Sequence, residues 1–469
     1  MTTLTCAQSC KHPLYPFQED VVLEFIEEDK NLFLCDEMGL GKTIQALLIA
    51  KEKNLLPCLI LCPKSLRIKW ANEVKHWTGI DVVLNGEDND HGLDELIQNP
   101  HRFFIVHHDV LSQIDTKPWL ELMYKLHWKC VIVDEAHRFR NYDTKRGSVL
   151  LKFKNTRRWM FLTGTPIINS TLDIFPEAHL LRPEVAEFSS PGGFISQFCR
   201  TQTNQYGMEV YDSKNEDRLF TLLGPHYIRR EKQDVLKELP PKVSTTLNLR
   251  MDTAQRETYD HFEQYLSMLL DSGEELSSPN VLAQIMRLRQ LTLDPRILGK
   301  ELRGIKTQAV MDLIDAAEHK VVIFSTLAQY INILAKELEE KEIPYLSVTG
   351  SADASIESMK FNKSNKYKVY LSTMKKGEGI DLVTAGTVII TDHWWNQATE
   401  DQAVDRLHRI GQIHDSIQVI TLHCDDTLDD HLVEVLQKKS KMSEKIVVES
   451  EVVRAIWQRQ KEKQFQMIR

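Results

Sequence analysis

Short apolar segments alternate with longer amphipathic segments in both halves of the sequence, and this alternation restricts the fold more than any other feature. The apolar runs are LFLCD, CLILCP, FFIVHH, CVIVDE and MFLTGT in the first half and KVVIFS, YLSVTG, KVYLST, TVIITD and IQVITL in the second. The stretches between them have helical spacing of apolar residues. Alternating strands and helices predict parallel, doubly wound sheets with ligand groups at the carboxyl ends of the strands.

The length of the chain requires more than one such sheet. A single hydrophobic core stops growing near ~250–300 residues, and the chain has 469. We therefore predict an α/β fold of two parallel-sheet lobes with helical insertions between them. The region from about 172 to 300 lacks apolar runs and is interpreted as mostly helical. The predicted domains are a first lobe at 1–240 with a helical protrusion from about 172, a helical protrusion or linker at 241–305, a second lobe at 306–440, and a C-terminal helical brace or tail at 441–469.

The composition is that of an ordinary soluble protein, with 42% hydrophobic and 27% charged residues. No apolar run approaches the roughly 20 residues that span a bilayer, and the N-terminus does not have the pattern of a secretory signal. We therefore expect no membrane association and an intracellular location, in the cytoplasm or nucleoid of a prokaryote or virus-infected cell, or in a eukaryotic nucleus. The net charge of -9 means that any nucleic-acid contact has to use a local basic surface.

The segment DEMGLGKT has the context of a phosphate-binding loop, because it follows the apolar run LFLC and opens a predicted helix. Glycine backbone N–H groups can surround phosphate oxygens there, Lys42 can reach the β- and γ-phosphates, and the Thr43 hydroxyl can hold Mg²⁺. Asp36 stands where the usual first glycine would be. The alternative is a plain glycine-rich strand–helix turn. The residues predicted to bind ATP in this segment are Asp36, Met38, Gly39, Leu40, Gly41, Lys42 and Thr43.

A second apolar run, CVIVDEAH, delivers two carboxylates at its end. Asp134 is predicted to hold the metal ion, and Glu135 is predicted to orient and deprotonate the attacking water. An acidic pair that caps a helix is the alternative, since such pairs are common. The position of this run downstream of a phosphate loop favours the catalytic interpretation.

Phosphoryl transfer also needs positive charge at the transition state. The string QAVDRLHRIGQ places Arg406 and Arg409 three residues apart, hence on one face of a predicted helix. Two such arginines suit a γ-phosphate and can contribute about 10³–10⁵ in rate. The alternative, a solvated arginine pair, is disfavoured because both residues belong to the second predicted lobe, which we expect to lie opposite the phosphate loop.

These strings together resemble the Swi/Snf-type chromatin-remodeller ATPases of helicase superfamily two, in a minimal form without accessory domains. The resemblance extends from about Tyr15 to about Lys439, and the order and spacing of the strings are specific. They are YPFQ, DEMGLGKT, LILCPKSL with the following Trp70 and Glu73, DEAHRFRN, LTGTPIIN, IRREKQDVLKELPPK, MRLRQL, VVIFS, LSTMKKGEGIDLVTA, DHWWNQATEDQAVDRLHRIGQ and TLDDHLVEVLQKK.

The resemblance implies RecA-like lobes and ATP hydrolysis with Mg²⁺ that is stimulated by duplex DNA. It further implies translocation along one strand, usually without strand separation. By the same resemblance Gln18 recognises adenine, Gln402 helps to align the hydrolytic water, and other residues couple the ATP site to DNA or lie at the edge of the cleft in the second lobe. Those coupling residues are His137, Gly164, Thr165, Thr373, Gly379 and Asp381. The chain departs from the family pattern at Lys375 and Lys376, where small residues are usual, and at Gln397, where proline is usual.

A dense basic segment follows DEAH, between 138 and 158, and in the sequence only Asp143 opposes it. It could neutralise DNA phosphates, as Lys375 and Lys376 could from the second lobe. A solvated helix face is the alternative. Because the sequence contains no recognisable base-reading element, we expect backbone contacts without sequence preference. The basic residues of the segment are Arg138, Arg140, Lys145, Arg146, Lys152, Lys154, Arg157 and Arg158.

The function that we predict is an ATP-dependent translocase on double-stranded DNA, working as a monomeric motor, with a separate partner protein left open. One alternative is an RNA-stimulated helicase of the DEAH type. The other is a non-hydrolysing scaffold that binds DNA or a partner protein. The scaffold is disfavoured because Lys42, Glu135 and both arginines are present.

Overall fold

The computed structural model describes the chain in segments that cover most of its length. The chain divides into two compact units, unit 1 (Met1–Lys237) and unit 2 (Glu238–Arg469). The predicted tail at 441–469 lies outside the described residues except for Ile456, and the finer domain boundaries stay predictions. The described residues are 14–84, 91–113, 117, 119–167, 170–204, 207–272, 278–350, 352–376, 380–394, 397–432 and 456.

Unit 1 alternates strands and helices, as its sequence predicts. Its strands are β1 (Leu32–Leu34), β2 (Cys58–Cys62), β3 (Val82–Leu84), β4 (Phe103–His107), β5 (Cys130–Asp134), β6 (Trp159–Leu162), β7 (Cys199–Asn204), β8 (Gly207–Ser213) and β9 (Tyr227–Ile228). Its helices are α1 (Pro16–Glu27), α2 (Lys42–Glu52), α3 (Arg67–Thr78), α4 (His91–Gln98), α5 (Trp119–Lys125), α6 (Phe175–Leu181), α7 (Pro191–Phe198), α8 (Glu216–Leu223) and α9 (Lys232–Val235).

The central sheet of unit 1 has the strand order β3-β4-β2-β5-β6-β1-β9, and its strand pairs are parallel. Each of β2 and β4 is buried along its whole length, because helices cover both faces of a parallel sheet. Two hydrophobic clusters occupy those faces. The topology brings the carboxyl ends of β1, β5 and β6 side by side at one edge, where the phosphate loop and the DEAH segment follow.

Unit 2 contains the second sheet and a helical segment that precedes most of it. Its strands are β10 (Lys242–Leu249), β11 (Lys320–Ser325), β12 (Tyr345–Val348), β13 (Val369–Thr373), β14 (Ala385–Ile390) and β15 (Ile417–Cys424). Its helices are α10 (Thr253–Asp271), α11 (Pro279–Leu293), α12 (Ile305–Ala316), α13 (Ala328–Glu340), α14 (Ala354–Lys363) and α15 (Gln397–Val404). The strand order is β10-β15-β14-β11-β13-β12, and these pairs are also parallel. The prediction of an α/β fold with two parallel-sheet lobes is confirmed.

Several helices of unit 2 begin at a residue whose side chain caps the first turn. The Asp252 carboxylate accepts a hydrogen bond from the Gln255 amide at 2.8 Å, and Asp353 accepts one from the Ser355 amide at 2.9 Å. Such caps satisfy backbone N–H groups that have no partner inside the helix. None of the helices in the described part of the chain is long and apolar enough to cross a membrane.

The region from about 172 to 300, which is interpreted from the sequence as mostly helical, also contains strands. Strands β7 and β8 form an antiparallel hairpin, β9 pairs with β1, and β10 pairs with β15 over its full length. The side chains of β10 are mostly exposed, so this edge strand is polar and its sequence, KVSTTLNL, has no continuous apolar run. An edge strand needs less apolar surface than a central one, and this is why the pattern missed it.

Candidate functional site

The phosphate loop lies between β1 and α2 and takes its shape from two glycines. Gly39 and Gly41 have φ angles of 88° and 77°, in the left-handed region that glycine adopts without steric cost. A Cβ atom on Gly41 would lie 2.5 Å from Nε2 of Gln18, so the position also has no space for a side chain. Helix α2 begins at Lys42, which directs its unpaired N–H groups and positive dipole end toward the loop.

Lys42 extends back across this loop. Its ammonium donates hydrogen bonds to the carbonyl oxygens of Asp36 at 2.7 Å and Glu37 at 3.3 Å. Burial lowers the pKa of Lys42, and the nearby carboxylates of Glu135, Asp36 and Asp134 oppose that shift. The predicted phosphate-binding lysine therefore lies within the electrostatic reach of both acids of the DEAH segment.

Asp134 and Glu135 stand at the carboxyl end of β5. Asp134 accepts a hydrogen bond from Nε1 of Trp70 at 2.8 Å through one oxygen and from the Glu135 amide at 3.0 Å through the other. Burial and the adjacent Glu135 raise the pKa of Asp134 to about 6. Two neighbouring carboxylates in a buried place are stabilised by a divalent cation, so the donor set fits Mg²⁺.

We expect the protein to supply only some of the ligands of a bound Mg²⁺ ion. Within the described residues no group of three or more His, Cys, Asp or Glu side chains could hold a metal ion. Magnesium characteristically takes one or two protein ligands and completes its shell with water and substrate phosphates. Thr43, in the first turn of α2, and Asp134 remain the predicted protein ligands.

The DEAH segment is connected to the segment after β6 through one histidine. Nδ1 of His137 lies 3.4 Å from Oε2 of Glu135 and 3.0 Å from Oγ1 of Thr163. The Thr163 hydroxyl in turn accepts a hydrogen bond from the Thr165 amide at 3.2 Å. Residues 135, 137, 163 and 165 thus form one polar chain that leads away from the predicted catalytic base.

Gly164 lies between the two threonines and packs directly on the phosphate loop. A Cβ atom there would lie 2.7 Å from Cγ of Met38 and 3.7 Å from Nζ of Lys42. A larger residue would require the Met38 side chain to shift. The segment that we expected to couple the ATP site to DNA is therefore in contact with the predicted phosphate-binding residues.

The remaining predicted ATP-site residues of unit 1 have structural contacts of their own. The Gln18 side chain is buried and donates from Nε2 to the Leu40 carbonyl at 2.9 Å, while its Oε1 accepts from the Tyr15 amide at 3.1 Å. Leu40 is fully buried in the core. Asp36 is also buried and forms an ion pair with Arg230. Gln18, the residue predicted to recognise adenine, thus contacts the phosphate loop directly.

Two residues near this site were part of recognised strings without a predicted role. Trp70 orients Asp134, and Arg230 holds Asp36. The sequence separates Trp70 from Asp134 and Arg230 from Asp36 by large distances, and these pairings arise only from the order of strands in the sheet. No local sequence signal could have identified them.

The basic segment at 138–158 does not form one surface. Arg157 and Arg158 both pair with Asp29, and buried Arg158 also donates to the Phe25 carbonyl at 3.3 Å. They precede β6, whereas Arg138 and Arg140 follow β5, so the two pairs lie at opposite edges of a parallel sheet. Arg138 and Arg140 share an edge with the phosphate loop, and so does Arg146, which pairs with Asp109 just after β4.

In unit 2 the two predicted phosphate-contacting arginines do not lie on a helix, and that prediction is wrong. Helix α15 ends at Val404, and the turns that follow carry both arginines. Arg409 donates from Nε to the Asp405 carbonyl at 2.9 Å and forms an ion pair with Asp381. Arg406 is only 1% exposed, and its carbonyl accepts from the Leu382 amide at 2.9 Å. The arginines and Asp381 therefore form one cluster, and Gln402 lies half-buried on α15.

The other predicted residues of unit 2 lie after β13. Thr373 is the last residue of that strand. The Lys375 ammonium lies 4.8 Å from the centre of the Trp394 ring, and Lys376 donates to the Gly350 carbonyl. Gly379 lies outside the described residues. Lys375 and Lys376 thus have intramolecular contacts within unit 2.

Comparison with known families shows the family to which the chain belongs. A model of the SNF2-related domain matches residues 17–297, more than half of the chain, and a model of the helicase conserved C-terminal domain matches residues 305–411. The chain belongs to the SNF2-related family. The recognition of a Swi/Snf-type ATPase of helicase superfamily two is confirmed at the level of the family. The family models give no support to a DEAH-box helicase, although the letters DEAH occur in the sequence.

The curated relatives are longer than this chain. The mouse SWI/SNF-related matrix-associated actin-dependent regulator of chromatin subfamily A member 1 is 28% identical over 480 residues, covering 96% of this chain and 44% of its own length. Nuclear protein STH1/NPS1 of Saccharomyces cerevisiae is 27% identical over 463 residues, covering 89% of this chain and 33% of its own. The chain therefore spans less than half of the length of these relatives. A solved Sulfolobus solfataricus SWI2/SNF2 ATPase core in complex with dsDNA is 25% identical and covers 95% of both chains, with a TM-score of 0.45.

Proposed function

We propose that this SNF2-family chain uses ATP and Mg²⁺ to move along double-stranded DNA. The observation that carries the proposal is the meeting of three groups at one edge of the unit 1 sheet. These groups are the Lys42 ammonium in its glycine loop, the Asp134–Glu135 pair, and the His137–Thr163 contact that leads away from them. Phosphoryl transfer requires this combination of positioning, charge neutralisation and a base.

Each group has a defined part in the proposed hydrolysis. Lys42 neutralises charge on the β- and γ-phosphates, and Thr43 and Asp134 hold Mg²⁺, which neutralises the developing charge on the phosphate oxygens. Glu135 accepts a proton from the attacking water. The hydrogen bond from Trp70 to Asp134 fixes the metal-binding carboxylate, as partners of metal ligands generally do. Gln18, Met38 and the loop glycines form the remaining walls of the ATP site.

The step that links hydrolysis to movement is assigned to the polar chain from Glu135 to Thr165. His137 contacts both Glu135 and Thr163. Loss of the γ-phosphate changes the electrostatic environment of Glu135, and His137 passes this change to the segment after β6. Gly164 lies against Met38 and transmits the same change by packing. A switch of this kind, in which phosphate contacts hold one arrangement, is common in nucleotide-driven motors.

From unit 2 we propose that Arg406 and Arg409 neutralise the transition state, with Gln402 aligning the water. The Asp381 carboxylate holds Arg409 in its turn, so the two arginines are presented by packed turns instead of a flexible surface. Thr373, Lys375, Lys376, Gly379 and Asp381 are assigned to the edge of the cleft and to DNA contacts. Hydrolysis would then remove the γ-phosphate, and alternate grip on the DNA would produce movement.

The DNA contacts in unit 1 are assigned to Arg138 and Arg140, which follow the DEAH segment. These contacts neutralise backbone phosphates and do not depend on base sequence. The proposed location is intracellular, and a separate partner protein would select the target. The relatives' names point to chromatin, whereas the chain itself supports only the motor.

The test measures ATP hydrolysis and triplex displacement by the wild-type chain on duplex DNA, with duplex RNA as the second substrate. We expect duplex DNA to stimulate turnover, and the third strand to be displaced in an ATP-dependent way. Glu135→Gln, which keeps the size of the side chain, is the matched control and should abolish both. Stronger stimulation by RNA would favour the RNA-stimulated helicase, and DNA binding without hydrolysis would favour the scaffold.

A further inference from the structure

The segment Tyr227–Lys232, which we call the strap, extends the unit 1 sheet beyond the end of β1. Strand β9 pairs in parallel with β1. The pairing continues into the phosphate loop, since the Cys35 amide donates to the Ile228 carbonyl at 2.6 Å and the Glu37 amide donates to the Arg230 carbonyl at 2.9 Å. The first residues of the loop therefore have the backbone contacts of a sheet instead of those of a free turn.

Arg230 joins the strap to three separate parts of the site. Its guanidinium donates to both carboxylate oxygens of Asp36, from Nε at 2.9 Å to Oδ1, and to Oε1 of Gln45 at 2.9 Å. It also donates to the Phe17 carbonyl and lies 4.9 Å from the centre of the Phe17 ring. The strap is thus fastened to the loop, to α2 and to the start of α1 beside Gln18.

Lys232 holds the next residue of the loop. Its backbone amide donates to Oε2 of Glu37 at 2.7 Å, and its ammonium lies 3.4 Å from Oε1 of the same residue. The strap therefore holds the side chains of Asp36 and Glu37. The carbonyl oxygens of the same two residues accept the hydrogen bonds of the Lys42 ammonium.

We propose that Arg230 is a positioning residue for ATP binding, and that the strap sets the affinity of the phosphate loop for nucleotide. Arg230 acts through Asp36, whose backbone carbonyl fixes Lys42. This inference rests on the proposed ATPase function. Because the division between the units follows at Lys237, the strap also connects the loop through a short stretch of chain to unit 2.

The chemistry of the pair explains why arginine occupies this position. The planar guanidinium can bind both oxygens of a carboxylate and has further donors for Gln45 and the Phe17 carbonyl, whereas an ammonium acts as a point charge. Asp36 is fully buried, so removal of Arg230 takes away its ion-pair partner and leaves the carboxylate with the long hydrogen bond from Nε2 of Gln45 at 3.3 Å. The Asp36 segment is then expected to move, and Lys42 with it.

The experiment compares Arg230→Gln, Arg230→Lys and Asp36→Asn with the wild-type chain in ATP hydrolysis on duplex DNA. Arg158→Gln is the matched control, because Arg158 is another arginine of unit 1 that pairs with an aspartate but does not touch the loop. Thermal unfolding of each variant measures the loss of stability separately. Direct titration with a fluorescent ATP analogue measures binding without turnover.

We expect Arg230→Gln to raise KM for ATP and the dissociation constant by roughly tenfold to a hundredfold, the effect of small misplacements at a reacting site, with a smaller fall in kcat. Arg230→Lys should recover part of the affinity. The effects of Arg230→Gln and Asp36→Asn should not multiply when the changes are combined, because both break the same pair. Arg158→Gln should lower the unfolding temperature without raising KM.

A KM for Arg230→Gln within about twofold of the wild-type value would overturn the inference, and so would an equal rise in Arg158→Gln. If Arg230→Gln does not fold, Arg230→Lys and Asp36→Asn decide by the same criteria. A wild-type chain that binds the ATP analogue but does not hydrolyse ATP would instead contradict the proposed function. The titration would still test the strap in that case, and a wild-type chain that binds no nucleotide would overturn both.

Discussion

The candidate residues of unit 1 and unit 2 reach their positions in different ways. In unit 1 Asp134 ends β5, Thr163 directly follows β6, and Lys42 begins the helix that follows β1, so the register of these parallel strands brings the three residues together. In unit 2 Arg406 and Arg409 lie in turns after α15, where Arg409 pairs with Asp381 and Arg406 is buried beside Leu382. The residues of unit 1 are therefore positioned by the sheet itself. The arginines of unit 2 are positioned by side-chain packing, and their proposed role requires bound nucleotide.

The largest effect is expected from the arginine cluster. Arg406→Ala and Arg409→Ala should each lower kcat by about 10³-fold or more with a smaller change in KM, as removal of an arginine finger does. Single-turnover ATP hydrolysis on duplex DNA measures this. Arg250→Ala is the control in the same unit, since that side chain is 90% exposed. If Asp381→Asn alone lowered kcat as much as Arg406→Ala, the cluster would be mainly structural and the comparison between the units would fail.

A second difference between the units concerns buried charge. In unit 2 the buried Lys306 ammonium pairs with Asp429 at 2.7 Å. In unit 1 the buried Glu177 carboxyl finds no hydrogen-bond partner on another residue within the described part of the chain. Burial, with a further contribution from Asp173, raises the pKa of Glu177 to about 8. Between the ordinary pKa of a glutamate and about pH 8, the Glu177 carboxyl is therefore protonated in the folded state and ionised in the unfolded state.

From this difference we expect stability to fall as pH rises from about 4.5 to about 8, since the folded chain binds more protons than the unfolded chain in that range. Glu177→Gln should raise the free energy of unfolding at pH 7.5 by roughly 2–4 kcal/mol and should flatten the pH dependence. Denaturant titrations across this pH range measure both. Lys306→Met, which leaves Asp429 buried and unpaired, should instead destabilise the fold by ~3–5 kcal/mol. An unchanged pH profile for Glu177→Gln would show that this carboxyl has a partner.

A smaller effect is expected at the polar chain of unit 1. His137→Ala should lower DNA-stimulated turnover by about tenfold, since one hydrogen bond to a coupling residue contributes roughly 1–1.5 kcal/mol. Thr163→Val should have a similar effect, and the double variant should be no worse than either single variant. ATPase assays at saturating DNA measure these rates. Effects that simply multiply would mean that the two residues do not act as a unit.

The smallest effect distinguishes the two parts of the basic segment. Arg138→Ala and Arg140→Ala should each reduce the slope of log affinity against log salt for duplex DNA by about one. Arg157→Ala should leave that slope unchanged, because Arg157 pairs with Asp29 at the opposite edge of the sheet. Fluorescence anisotropy across a salt series measures the slopes. A reduced slope for Arg157→Ala would restore the single basic surface that the sequence predicts.

The sequence predicted the structure best where a short segment determines both the secondary structure and the functional residues. The buried strands and the phosphate loop are local patterns, so their positions follow from periodicity and glycine placement. Strand β10 was missed because an exposed edge strand has no apolar run. The end of α15 at Val404 was missed because the arginines favour a helix locally, whereas packing against Leu382 and Asp381 imposes turns.

Contacts between distant parts of the sequence could not be predicted at all. The roles of Trp70 and Arg230 depend on which strands are neighbours, and the division of the basic segment depends on the edge at which each strand ends. Both require the three-dimensional topology. The candidate site was therefore predictable as a set of residues but only partly as a set of interactions.

The central claim is that unit 1 carries an ATP-hydrolysing site that responds to duplex DNA. The most direct measurement is steady-state ATP hydrolysis by the wild-type chain and by Lys42→Ala, with and without duplex DNA, at saturating Mg²⁺. We predict hydrolysis by the wild-type chain that rises severalfold when DNA is added and is absent from Lys42→Ala under both conditions. Equal hydrolysis by the two proteins, or wild-type hydrolysis that DNA does not change, would contradict the claim.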